Sequence, residues 1–196
     1  MGAIGPKEDD KAGRQQRLFL ALWPDEDVRT QLEAIAPKVL AAGVGRRVKR
    51  ENLHATLIFL GSVTAETRTC IEQVAAGIKT RPFSLVLDQA GYWAKPRLAW
   101  VEASQLPEPL IRLVADLKAG LDTCGLMLER REYRAHVTLA RKVRRGTKAA
   151  AIGPIEWRID SFVLVESHTR PAGVTYEVLR SWRLTGSSRE SGKESE

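Results

Sequence analysis

Apolar residues follow two patterns along the chain, and each pattern predicts one type of element. Short continuous or alternating runs predict strands in seven segments: Arg17–Trp23, Leu53–Gly61, Phe83–Gln89, Arg97–Ala103, His136–Arg141, Ile159–Glu166 and Val174–Leu184. Runs that repeat every three or four residues predict three helices, with these apolar faces: Val28, Leu32, Ile35, Val39; Ile71, Val74, Ile78; and Leu110, Leu113, Leu117, Leu121. The order of the elements predicts an α+β fold with largely antiparallel sheets.

Turn-forming and capping residues mark where the predicted helices begin and end. Residues 24–25 open the first helix and Gly43 ends it, while Pro37 inside it predicts a kink or a break. Thr64 is the expected cap of the second helix, and Gly125 ends the third. The segment HTRPAG predicts a hairpin-like connection between the last two strands.

The two ends of the chain are polar and charged, unlike the rest of the sequence. We therefore predict disordered tails at residues 1–16 and 185–196, around a single domain at residues 17–184. The sequence has no run of 18 apolar residues and no signal peptide, so a cytoplasmic protein is expected. In that compartment the two cysteines, Cys70 and Cys124, are expected to be reduced and buried.

Two of the predicted strands carry the same motif, His-x-Thr-Leu. It begins at His54 in one strand and at His136 in the other. Because side chains alternate along a strand, each histidine shares a face with the threonine of its motif, Thr56 or Thr138. Two imidazoles suit phosphodiester chemistry, in which a neutral ring accepts a proton and a protonated ring donates one. The threonine hydroxyls suit binding of phosphate oxygens.

Positive charge is concentrated near both motifs. The chain has a net charge of +7, and residues 130–148 alone contribute eight basic residues against one acidic residue. A second basic cluster, within residues 46–50, comes just before the first motif. Such a field attracts phosphates and nucleic acids, although a high pI by itself is equally consistent with a solvated basic surface.

A metal site is the competing interpretation of the two motif histidines. No suitably placed Cys, Asp or Glu accompanies them, so they make a poor ligand set, and neither a metal nor another cofactor is predicted. The chain has only one other histidine, His168. It lies in the predicted loop of the last hairpin and is interpreted as a surface residue.

The sequence resembles the 2H phosphoesterase superfamily, in particular the RNA 2′,3′-cyclic phosphodiesterases formerly called 2′-5′ RNA ligases. The resemblance covers residues 17–184 and rests on five segments: RLFLALWPDEDVR, NLHATLIFLG, AGYWAKPRLAWVEA, YRAHVTLAR and FVLVESHTRPAGVTYEVLRSWRL. Two positions depart from the family pattern. Ala135 stands where the family often has proline, and His168 stands where it usually has an apolar residue.

The resemblance implies a bilobed fold of two quasi-symmetric halves, with the active cleft between them. It also implies hydrolysis of a terminal 2′,3′-cyclic phosphate on RNA to a 2′-phosphate, without a metal or a nucleotide cofactor. By this likeness His54 is the proton donor to the leaving oxygen, and His136 is the proton acceptor that activates water. Thr56 and Thr138 hold phosphate oxygens, and Arg141 adds positive charge.

Two details of the implied site are less direct. Strict alternation places Arg141 on the face opposite His136, so a position near the phosphate requires a local bulge or the strand end. An aromatic side chain is expected to stack on the RNA base, because proteins usually hold single-stranded ends by stacking. The candidates are Phe59, Tyr92, Trp93 and Tyr133.

Three functions are therefore compared. The first is the cyclic phosphodiesterase, acting on RNA 3′ ends such as those of tRNA halves. The second is 2′-5′ RNA ligation, which uses the same acid and base in the reverse direction. The third is a non-catalytic module that binds RNA ends, although binding alone does not need two groups that titrate near neutral pH. A monomer is expected in each case.

Overall fold

The computed structural model of the protein describes residues 15–40, 45–129, 131–144, 149–170 and 173–186. Within these residues, the strands are β1 (Gln16–Leu22), β2 (Arg46–Arg47), β3 (Ala55–Val63), β4 (Phe83–Trp93), β5 (Leu98–Glu102), β6 (His136–Arg141), β7 (Ala150–Ile159), β8 (Ser161–Arg170) and β9 (Gly173–Arg183). The helices are α1 (Glu26–Val39), α2 (Ala65–Gly77) and α3 (Glu108–Asp122), and a single 3₁₀ turn spans Arg50–Asn52.

All strands belong to one antiparallel sheet, in which the order is β7-β4-β5-β6-β3-β1-β8-β9 and β2 also pairs with β6. The centre of this order is the β3–β6 pair, which consists of Ala55 opposite Val137 alone. Four strands of this order lie on either side of the junction, and β2 adds a fifth beside β6. The predicted division into two quasi-symmetric halves is confirmed, but the halves share one continuous sheet.

Each of the seven predicted strands is present, and two further strands, β2 and β7, were not predicted. β2 has only two residues, which is too short for a periodic signal. β7 does alternate, with Ile155, Trp157 and Ile159 buried, but Gly153 and Pro154 interrupt its apolar pattern. The strand predicted from Ile159 therefore begins at the end of β7, whereas β8 starts after it.

The predicted helices and caps are also present. The side chain of Asp25 accepts a hydrogen bond from Val28 N at the start of α1, and Thr64 accepts one from Thr67 N at the start of α2. Pro37 lies in the last turn of α1, and the helix ends at Val39. The predicted stop, at position 43, lies outside the described residues.

The core lies between the helices and one face of the sheet. The four leucines predicted to form the face of α3 are all fully buried: Leu110, Leu113, Leu117 and Leu121. Burial of each such side chain stabilises the fold by about 1.5–3 kcal/mol. None of the described helices is long and apolar enough to cross a membrane.

The prediction of two reduced cysteines was wrong, because Cys70 of α2 and Cys124 after α3 form a disulfide with a Cα–Cα distance of 5.8 Å. Cys70 and Val74 lie one turn apart on α2, and Gly120 and Cys124 lie one turn apart at the end of α3. A Cβ atom at Gly120 would lie 2.5 Å from Val74 Cγ1, so glycine allows the two helices to approach. Periodicity showed which faces are buried, but not which helices meet.

The interpretation of His168 as a loop residue was also wrong. β8 continues to Arg170 and β9 begins at Gly173, so His168 lies inside a strand, with its side chain 23% exposed. The predicted disorder of residues 1–16 and 185–196 falls mainly outside the described residues and stays a prediction. At the described edges, β1 begins at Gln16 and Gly186 N donates to Thr80 O.

Candidate active site

A cavity of about 500 Å³ lies at the junction of the two halves. The motif side chains His54, Thr56, His136 and Thr138 all line it. They meet there because each histidine immediately precedes one residue of the Ala55–Val137 pair that joins β3 to β6. The structure thus brings together four polar side chains that are far apart in the sequence.

Each imidazole is oriented by the backbone just before it. His54 Nδ1 lies 2.7 Å from the carbonyl oxygen of Asn52, and His136 Nδ1 lies 3.0 Å from that of Arg134. A carbonyl oxygen only accepts, so Nδ1 carries the proton in both rings. This assignment leaves Nε2 of each neutral ring with a lone pair for a reacting group. The two histidines therefore have the same tautomer and are oriented by equivalent hydrogen bonds to the backbone.

Aromatic rings surround His54. Trp23 stacks on the imidazole at a centroid distance of 5.5 Å, while Phe19 and Tyr176 lie at 4.9 and 5.0 Å. Burial lowers the pKa of His54 to about 4, and the positive charge of Arg141 acts in the same direction. In the free protein His54 is therefore neutral at pH 7.

His136 has a more polar surrounding. The His136 and Trp93 rings pack in a T-shaped arrangement with centroids 4.7 Å apart, and the Arg134 guanidinium lies 5.1 Å from the Trp93 centroid. Burial lowers the pKa of His136 as well, followed by the nearby positive charges of Arg131, Arg134 and Arg141. A bound phosphate anion acts in the opposite direction, because a negative charge favours the imidazolium form.

The position of Arg141 depends on a bulge in β6. Thr138 pairs with Trp100, but Ala140 pairs with Ala99, so Leu139 is an extra residue in this strand. The extra residue reverses the alternation that follows it. As a result, Arg141 lines the same cavity as the two histidines. The local bulge that this position requires is therefore present.

The four aromatic candidates for base stacking do not occupy equivalent positions. Phe59, Trp93 and Tyr133 line the cavity, whereas Tyr92 does not and its hydroxyl donates to Val143 O at 3.1 Å. Phe59 is 57% exposed. The Tyr133 hydroxyl is buried, which raises its pKa, and it has no hydrogen-bond partner among the described residues.

The cavity wall carries more positive than negative charge. Its basic side chains are Lys95, Lys118, Arg131, Arg134 and Arg141, and its acidic side chains are Glu129 and Glu132. The basic cluster before His54, within residues 46–50, does not line the cavity. Its Arg50 instead pairs with Glu26 and Glu33 of α1.

The sequence patterns did not identify the rings around His54. Phe19 and Trp23 were assigned to a buried run, RLFLALW, without distinguishing its two faces. Alternation along that run puts both rings on one face, and this is the signal that identifies them. Tyr176 comes from a distant strand, β9, and no local pattern relates it to the motif.

Comparisons with known proteins agree with this geometry. A sequence model described as the 2′-5′ RNA ligase superfamily matches residues 24–171, which include both motifs. The chain belongs to this superfamily. The predicted membership of the 2H phosphoesterases is thereby confirmed.

Similar proteins of known name align with this chain over nearly their full length. The RNA 2′,3′-cyclic phosphodiesterase of Escherichia coli K12 is 32% identical over 174 residues, which cover 87% of this chain and 97% of the relative. The protein of the same name from Thermus thermophilus is 31% identical over 187 residues, covering 87% of this chain and 91% of the relative. A solved structure of E. coli LigT with 3′-AMP is 31% identical, with a TM-score of 0.81, and covers 88% of this chain and 99% of that chain.

Proposed function

We propose that this enzyme hydrolyses the 2′,3′-cyclic phosphate at the 3′ end of RNA to a 2′-phosphomonoester, without a metal. One observation carries the proposal. Two imidazoles line one cavity together with Thr56, Thr138 and Arg141. Each imidazole is oriented by the same hydrogen bond from Nδ1 to a backbone carbonyl, so each Nε2 is available for proton transfer. Relatives that match nearly the whole domain are named RNA 2′,3′-cyclic phosphodiesterases, which supports the same substrate class.

In the proposed reaction, His136 Nε2 accepts a proton from a water molecule as the water oxygen attacks phosphorus. The bond from phosphorus to O3′ breaks, and the protonated His54 gives its Nε2 proton to that oxygen. Thr56 and Thr138 donate to the non-bridging oxygens, and Arg141 offsets the charge that develops on them. The phosphate remains on O2′, and O3′ becomes a hydroxyl.

The assignment of His54 as the acid and His136 as the base follows the family resemblance. Phe19, Trp23 and Tyr176 surround His54, and its burial among them lowers the pKa of the imidazole to about 4. Protonation of His54 therefore depends on the negative charge of the bound phosphate. Of the three rings, Trp23 stacks on the imidazole, and an aromatic face stabilises a cation in contact with it.

Product analysis tests the proposal. The enzyme is incubated with a short oligoribonucleotide that ends in a 2′,3′-cyclic phosphate, and the terminus is identified by ³¹P NMR or mass spectrometry. We expect a 2′-phosphate, formed at the same rate with and without EDTA. A 3′-phosphate product, or loss of activity that zinc restores, would argue against the proposed mechanism.

Ligation in the same cleft is a second reaction to test, because the superfamily's description includes 2′-5′ RNA ligases. In ligation the 5′-hydroxyl of a second RNA replaces water as the group that attacks phosphorus, and the same bond to O3′ breaks. Water is in vast excess over RNA ends, so we propose that hydrolysis dominates. Incubation with paired tRNA halves distinguishes the two, since a ligase yields the joined RNA.

The pKa shifts predict an acidic optimum for kcat/KM. Productive free enzyme has one protonated and one neutral histidine, and both pKa values lie below 6.5. Raising the pH above them removes the remaining proton, so kcat/KM should fall about tenfold per pH unit on the alkaline side. The kcat profile should lie at higher pH, because bound phosphate raises both pKa values. A kcat/KM profile that stays flat from pH 6 to 9 would rule out the predicted acidic optimum.

Phe59 is the proposed stacking residue, because it is the most exposed aromatic ring on the cavity wall. Phe59→Ala should raise KM for the oligoribonucleotide by about tenfold and leave kcat nearly unchanged, since base stacking contributes about 1–3 kcal/mol. Tyr92→Phe is the matched control, because Tyr92 lies outside the cavity and should leave both constants unchanged. Equal KM values for Phe59→Ala and wild type would transfer the role to Trp93 or Tyr133.

We further propose that the enzyme acts as a monomer, since both motif histidines and both motif threonines of the cavity belong to the same chain. A cytoplasmic location is the expectation that accompanies an RNA substrate. The disulfide between Cys70 and Cys124 counts against it, because disulfides are rare in reducing compartments.

A further inference from the structure

A second cluster of chemically active side chains lies away from the catalytic cavity, on the β8–β9 hairpin. It consists of Glu166 and His168 on β8 and Glu177 on β9, with one ligand atom of each side chain within 4.8 Å of the others. Glu166 lies directly opposite Glu177 in the strand pairing. None of these three residues lines the cavity.

The cluster is on the sheet face opposite the one that contacts the catalytic histidine. Glu166 pairs with Leu18, whose side chain belongs to the main core beneath the helices. Tyr176, the neighbour of Glu177 along β9, instead contacts the His54 ring. Because neighbouring side chains in a strand point to opposite faces, the sheet separates the cluster from the His54 side.

The carboxylate of Glu166 is held in a fixed orientation. Its Oε2 accepts a hydrogen bond of 2.7 Å from Gln16 Nε2, and Gln16 Oε1 in turn accepts one of 3.2 Å from Arg68. Arg68 is itself fixed by a 2.8 Å bond to Glu72. This chain satisfies one oxygen of a side chain that is only 7% exposed. The other oxygen, Oε1, faces His168 Nδ1 at 3.8 Å, beyond hydrogen-bond distance.

A hydrogen bond of 3.3 Å joins His168 Nε2 to Glu177 Oε2, but a neutral imidazole does not offset the negative charges of the two carboxylates. Two carboxylates directly opposite each other on neighbouring strands repel, and burial of one adds a desolvation cost. One imidazole nitrogen with two carboxylate oxygens is a ligand set used for zinc and related divalent metals. The Gln16–Arg68 chain resembles the outer hydrogen bonds that orient metal ligands. Glu177 is 65% exposed on its side chain and can adjust its position.

We propose that Glu166, His168 and Glu177 bind a divalent transition-metal ion such as Zn²⁺, with water completing its coordination. His168 occupies a position that the family resemblance makes usually apolar, so this site is a property of the present chain. Binding joins β8 to β9 and stabilises the hairpin. The proposed cyclic phosphodiesterase reaction does not use this ion.

Titration calorimetry with ZnCl₂ on metal-stripped protein tests the site. The parent protein carries His54→Asn and His136→Asn, so that the catalytic imidazoles cannot contribute to zinc binding. We expect one zinc ion per chain. In the same background, Glu177→Gln and His168→Ala should each weaken binding at least about tenfold, and Gln16→Ala should weaken it by a similar factor through the lost support of Glu166.

Glu51→Gln, at an exposed carboxylate outside the cluster, is the control and should bind zinc like the parent. Circular dichroism of each variant shows whether it is folded, and Glu177→Gln preserves side-chain shape at an exposed position. Zinc that binds the wild type but not the His54/His136 parent would place the metal in the catalytic cavity and overturn the proposal. Unchanged affinity in folded Glu177→Gln and His168→Ala, or no binding to the parent, would overturn it as well.

Discussion

Replacing either His54 or His136 with asparagine should lower kcat for the cyclic phosphate by about 10²–10⁴-fold, the usual contribution of one acid or base. Asparagine can still donate to the backbone carbonyl that orients each ring, at Asn52 and Arg134 respectively. It cannot exchange a proton with water or with O3′ near neutral pH. The loss therefore isolates proton transfer from the geometry of the site.

The pH profiles of the two variants separate the two roles. The base must be neutral, so His136→Asn should remove the acidic limb of kcat/KM. The acid must be protonated, so His54→Asn should remove the alkaline limb. Profiles with the limbs exchanged would reverse the assignment, and near-wild-type turnover by either variant would exclude its histidine as a catalytic group. Tyr92→Phe, outside the cavity, serves as the control for unchanged activity.

The placement of the two motif pairs could be predicted because its signal is local. Alternation along a strand puts His54 with Thr56 and His136 with Thr138, whatever the rest of the fold does. The convergence of the two pairs follows from one contact, Ala55 with Val137. No periodicity specifies that contact, and the repetition of the motif together with the family resemblance supplied it.

Arg141 shows where local rules need a correction. Strict alternation gives it the wrong face, and the single extra residue, Leu139, restores the cavity position. Bulges depend on how a strand fits its neighbour, in this case β5, so a sequence read one strand at a time does not reveal them. The resemblance gave the correct position without giving its cause.

The errors concern contacts between elements, not the spacing within one element. His168 seemed to belong to a loop because Pro and Gly follow it closely, yet β8 extends past it. Its two carboxylate neighbours are Glu166 on the same strand and Glu177 across the hairpin. The faces and the core were predictable from spacing, whereas these pairings depend on register.

Replacing Cys70 and Cys124 together with alanine should lower the free energy of unfolding by about 3–4 kcal/mol under non-reducing conditions. The disulfide links residues 54 positions apart, and a cross-link of that span removes many conformations from the unfolded chain. It also joins α2, which follows β3 in one half, to the end of α3, which precedes β6 in the other. Guanidinium denaturation at equilibrium measures the difference.

Dithiothreitol provides the matched control for this loss. It should lower the denaturation midpoint of the wild type to nearly that of the double-alanine variant, and it should leave the variant unchanged. The two motif histidines lie beside the β3–β6 pair and not on these helices, so kcat of the folded variant at 25 °C should stay close to wild type. Identical midpoints for wild type and variant without reductant would mean that the cross-link does not stabilise the fold, and the close approach of α2 to α3 would then depend on packing of Gly120 against Val74 alone.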